Sequence, residues 1–196
     1  MIRRLLISAA ALGLATAPAF AHLDPSEHGS FAAGFSHPLF GLDHILVMVA
    51  VGLWAATLRG RALLAVPAAF VGTMGLGFLA ATAGVPLPFV EPVILASIIF
   101  IGIMVALALP FSTAGMAAAV AFFAFFHGHA HGGELGEAGA AGFAIGFMIA
   151  TAVLHACGIG LGIAFAKLQG GDGKSWFTRA VGAGTAAAGL FLAFAG

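Results

Sequence analysis

Six apolar stretches, each about as long as a bilayer is thick, constrain this chain more than any other feature. They fall at 38–58, 62–83, 89–109, 112–130, 138–167 and 176–195. A helix needs about 20 apolar residues to cross the hydrocarbon core, whereas a barrel strand needs about 10. Only helices and closed barrels satisfy their backbone polar groups in lipid, so stretches of this length predict spanning helices. Composition agrees, with 62% of the 196 residues hydrophobic and 7% charged, against roughly a quarter charged in a soluble domain. The expected fold is all-α and integral to the membrane, with six transmembrane helices in one domain over 22–196.

Residues 1–21 read as a signal peptide. Arg3 and Arg4 form a positive start, Leu5 to Ala17 a short apolar run, and Ala19-Phe20-Ala21 an A-x-A cleavage site. An uncleaved first helix is the alternative, but the run is short for a span. Cleavage after Ala21 makes His22 the new N-terminus.

Orientation follows from the basic residues beyond that point. Arg59 and Arg61 lie between spans 1 and 2, and Lys167, Lys174 and Arg179 lie around the connection between spans 5 and 6. All fall on one side, which the positive-inside rule assigns to the cytoplasm. The expected topology is N-out and C-out, in a bacterial inner membrane. The formal net charge is zero and no basic patch exists, which argues against a nucleic-acid partner. The single cysteine, Cys157, excludes an intrachain disulfide and is expected to be a small packing residue.

Glycine is abundant, and the runs Gly72-x-x-Gly75-x-Gly77 and Gly158-x-Gly160-x-Gly162 suit close helix contact in lipid. A hint of duplication accompanies them. The stretch from Gly77 to Ala83 matches Gly146 to Ala152 at five of seven positions. If the match is ancestral, spans 1–3 and 4–6 form an inverted 3+3 repeat, a transporter habit. Chance competes with it, because Gly, Ala and Phe are common here.

The polar residues gather toward the outer face. Span 1 opens with His37, Pro38, Gly41, Asp43 and His44, and reaches Met48 a turn later. His37 and His44 share a face if one helix holds both. Ionisable residues inside a membrane are costly and mark function by default; a buried Asp–His pair tying helices together is the structural alternative. Span 4 ends in Phe126-His127-Gly128-His129-Ala130-His131-Gly132-Gly133-Glu134. His127 and His131 are i and i+4, a spacing that lets two imidazoles reach one ion. His129 then points elsewhere, and Glu134 adds a carboxylate. A solvated His-rich loop is the alternative.

Three further groups are candidates. His155 lies in the middle of span 5 and is the deepest ionisable residue, placed to relay an ion or only to bond a neighbouring helix. A free N-terminal His22 offers an amine and an imidazole to one ion, with Asp24, Glu27 and His28 nearby. Glu91 precedes Pro92 and is expected to cap span 3. Nitrogen and oxygen ligands suit Ni, Co, Zn, Fe(II) or Cu(II) as a bound or transported ion, and geometry selects among them. No prosthetic group is expected.

These motifs resemble the HupE/UreJ family. The resemblance rests on the run from Gly34 to Trp54, with its H-P-x-x-G-x-D-H-x-x-x-M pattern, on the Phe126–Glu134 run, and on the Ala-His start at 21–22. It implies a nickel or cobalt permease associated with hydrogenase and urease maturation. It also implies metal handling by His37, Asp43 and His44, with His127, His131 and Glu134 after span 4. The leading expectation is uptake of a divalent metal without ATP, since no P-loop is present. One competitor is a metal-binding accessory protein that delivers ions to a partner. Another is an intramembrane zinc hydrolase, against which stands the missing H-E-x-x-H pattern.

Overall fold

A computed structural model describes residues 31–109, 111–135, 139–169 and 175–195. The expected signal peptide, His22, Asp24, Glu27 and His28 lie outside the described residues, as does Lys174. Seven helices make up the described part: α1 (Phe31–Phe40), α2 (Leu42–Leu58), α3 (Ala62–Thr82), α4 (Val90–Leu107), α5 (Thr113–Glu134), α6 (Ala140–Leu168) and α7 (Trp176–Ala195). Helices α3 to α7 are each long and apolar enough to cross a membrane. The sixth candidate span is α1 and α2 together, bent by 81° at their junction.

That bend corrects the expectation of one continuous first helix. Pro38, inside α1, has no N–H to give to the carbonyl one turn back. Two residues after it the helix ends, and Gly41 adopts an extended conformation that turns the chain into α2. A side chain at Gly41 would meet the His44 ring and the Asp43 carboxylate. Glycine therefore lets the break and the polar residues share one corner.

The bundle is built from three tightly crossed pairs. Helix α3 packs on α5, α4 on α7, and α6 on both α1 and α2. Glycines make the crossings close, as expected where lipid offers no hydrophobic drive between helices. Gly77 and Gly128 press against the facing backbones of α5 and α3, and Gly52 and Gly158 do so between α2 and α6. Gly102 meets Ala186, and Gly182 meets Ala106, where α4 crosses α7. The runs singled out in the sequence divide on this point. Among the described residues, Gly77, Gly158 and Gly162 touch neighbours, Gly75 meets only the Met148 side chain, and Gly72 and Gly160 meet none.

The two ends of the bundle differ. Arg59 and Arg61 form the exposed turn after α2, and the Arg179 guanidinium donates to the Ala106 carbonyl at the end of α4 (2.8 Å). At 1.5 Å per residue, about 22 Å of helix separates Arg59 from His44. Large exposed apolar side chains such as Leu64, Leu79, Phe122, Phe191 and Phe194 cover the outside, the pattern of a surface that meets acyl chains.

A candidate metal centre

At the end away from the arginines, the 81° bend sets His37 and His44 on two different helices. Their rings converge nonetheless, with centroids 5.2 Å apart. Helix α5 continues to Glu134 because Gly128 and Gly132 let it ride directly on α3. Its continuation brings His131 to both, with ring centroids 4.4 Å from His37 and 4.9 Å from His44. One nitrogen from each of His37, His44 and His131 lies within 4.8 Å of the others. His44 and His131 are buried, and His37 is partly exposed.

The closest contact is between His44 Nε2 and His131 Nε2, at 2.8 Å. Two imidazole nitrogens bound at about 2.1 Å to one ion would be about 3.0 Å apart at right angles and about 3.4 Å apart in a tetrahedron. An ion can therefore replace the proton between these rings with only a small movement, while His37 would draw inward. Asp43 Oδ2 stands 2.9 Å from His44 Nδ1. A carboxylate on the far nitrogen of a ligating histidine fixes its tautomer and raises its basicity. That spacing brings Asp43 beside His44, although among the described residues Nδ1 makes no hydrogen bond of good geometry.

Helix α6 supplies a wall that the sequence reading missed. Phe147 lies 4.9 Å from the His131 ring and 5.9 Å from His37 and His44, and Phe143 lies 5.9 Å from His37. No polar residue marks this stretch, so its role was not legible. Three imidazoles backed by phenyl rings lose water on one side, which strengthens their grip on a cation.

The remaining candidates lie elsewhere. His127 is fully buried one turn below His131, with its Nδ1 3.0 Å from the Phe123 carbonyl and its ring 6.0 Å from His44. His129 turns away and bonds the Val85 carbonyl in the α3–α4 loop (2.7 Å). Glu134 closes α5; its side chain is outside the described part. Glu91 is exposed in the first turn of α4. His155 is buried at the middle of α6, 4.9 Å from the Phe70 ring. Cys157, expected to pack, lies on an exposed face.

Comparison with known proteins converges on one family. The family described as HupE / UreJ protein matches residues 10–192. A protein of Rhizobium leguminosarum bv. viciae, "Protein HupE", is 42% identical over 177 residues, covering 89% of this chain and 91% of that protein. No solved structure matches.

Proposed function

The chain belongs to the HupE/UreJ family of nickel/cobalt permease-like accessory proteins, and from that premise we propose that it is an ATP-independent permease for nickel, or cobalt. The ion enters from the periplasm, is partly dehydrated by His37, His44 and His131, and leaves to the cytoplasm. The observation that carries this proposal is the convergence of three imidazoles from α1, α2 and α5 in a largely buried pocket. Ionisable groups are retained in such a place where an ion must be bound. The His22 amine and imidazole, with Glu134 at the rim, serve as outer capture groups.

The inner membrane and the N-out, C-out topology belong to the same proposal. It is supported by the distance between the histidines at one end of α2 and the arginines at the other. An inverted repeat is part of it too, in a register other than the Gly77/Gly146 match. Exchanging the halves takes Val49 and Gly52 to Phe125 and Gly128 by one constant displacement. It takes Gly77 to Gly158 by another, and Gly102 and Ala106 to Gly182 and Ala186 by a third. The exchange carries the contact of Gly52 with α6 onto that of Gly128 with α3, and the Gly102–Ala186 contact onto Gly182–Ala106. Substrate sites in transporters of this build lie between the repeats.

Uptake of radioactive nickel or cobalt into proteoliposomes tests the function. Wild type should accumulate the ion without ATP, and His44→Ala and Asp43→Ala should not. Uptake surviving both substitutions would remove the site assignment. Tight metal binding by the wild type with no uptake would point instead to delivery to a metalloenzyme maturation partner.

A further inference from the structure

Below the three-histidine cluster lie two imidazoles that the cluster does not use. His127 is 0% and His155 1% exposed. Among the described residues, His155 has no hydrogen-bond partner at either ring nitrogen, and His127 has none at Nε2. Buried polar atoms are nearly always paired, so three unpaired nitrogens in one region call for a ligand. The Phe70 ring touches both residues, 5.7 Å from His127 and 4.9 Å from His155. One turn along each helix, Thr151 Oγ1 of α6 meets the Met74 thioether of α3 at 3.8 Å.

The position of this group is as telling as its chemistry. The displacement that takes Gly77 to Gly158 also takes Phe70 to Thr151 and Met74 to His155. The Phe70–His155 contact therefore exchanges with the Met74–Thr151 contact, and the repeat axis passes between them. His155 also lies about 12 Å further along α6 than Phe147, the wall of the upper cluster. Imidazole suits borderline ions such as nickel and zinc, and a thioether adds a softer donor.

We propose that His155 and His127, with the Met74 sulfur, form a second and deeper metal station at the repeat interface. It receives the ion from His44, whose ring lies 6.0 Å from His127. This proposal rests on the metal-permease function. The two fail separately, because the upper cluster can bind metal whether or not a lower station exists.

The test uses the purified full-length chain in detergent with Co(II) as the probe. In His37→Ala/His131→Ala, with His22→Ala and Glu134→Ala added so that the upper cluster and the outer capture groups are both lost, equilibrium dialysis should still find one bound Co(II) per chain. Adding His155→Asn should abolish that binding. Adding His155→Cys instead should restore it with a thiolate-to-cobalt charge-transfer band in the near ultraviolet, a signature that a packing role cannot give. In an otherwise wild-type chain, His155→Asn should keep Co(II) at the upper cluster and cut proteoliposome uptake at least tenfold. The lower station is overturned if the variant lacking the upper cluster and the capture groups binds no Co(II), if its binding ignores His155→Asn, or if His155→Cys gives no such band. Comparable elution of all variants as single species on size exclusion separates these outcomes from misfolding.

Discussion

At the scale of single residues, the proposed three-histidine site separates a ligand from the group that would aim it. His44 offers Nε2 toward His131 and Nδ1 toward Asp43. Loss of a partner behind a ligating histidine costs 10–100-fold in metal affinity. Asp43→Asn should therefore weaken Ni(II) binding by about 10–100-fold, and His44→Ala by more, as read by isothermal titration. The reverse order would make Asp43 itself the stronger ligand. Because only neutral imidazole binds metal, affinity should also fall as the pH is lowered through the imidazole range. A profile flat until carboxylates protonate would assign the grip to oxygen ligands. The sequence exposed these residues readily, because charged and imidazole groups are conspicuous in an apolar chain. It paired His127 with His131 and turned His129 away only on condition that the helix persists. That condition is α5 staying helical through His131, and the deciding contacts are Gly132 against Phe78 and Ala81, far away in the chain.

At the scale of helices, close approach and its absence alternate within a single turn. Gly182 abuts the backbone of Ala106, while Gly184 on the same helix has none of the described residues within 4 Å of where a side chain would begin. Overpacking a closed contact costs about 1–3 kcal/mol. Gly182→Ala should accordingly destabilise the detergent-solubilised protein by about that amount, whereas Gly184→Ala should leave its thermal unfolding unchanged. Equal effects would mean that α4 and α7 do not cross there. Gly41→Ala is a different case, since its methyl group would press on the His44 ring; it should reduce metal binding more than it lowers stability. Helix boundaries were legible to within a few residues for α3, α4, α6 and α7, because hydropathy runs end where chains leave lipid. The corner at Gly41 was not legible. Pro38 and Gly41 signal a break only when something holds the two pieces apart, and here Gly34 and Gly146 clamp α1 onto α6.

At the scale of the whole molecule, the direction of the proposed transport depends on which end of the bundle faces out. The histidines and arginines lie at opposite ends of α2, so one labelling experiment decides between uptake and efflux. In a Cys157→Ser background, Val85→Cys reports the α3–α4 loop, where the Val85 carbonyl holds His129. Arg61→Cys reports the turn between α2 and α3, with Arg59 left to keep that end positive. A membrane-impermeant maleimide added to intact cells, with the outer membrane made permeable, should label Val85→Cys and spare Arg61→Cys until the inner membrane is opened. That result puts the three-histidine cluster at the periplasmic mouth, where a scarce external ion must first be captured. The opposite pattern would turn the path around. Arginines would then face the incoming cation, whose local concentration a positive mouth lowers by repulsion, and the same ligands would collect metal from the cytoplasm for export. Electrostatics thus ties the side on which the arginines lie to the direction in which a cation can be drawn through the bundle.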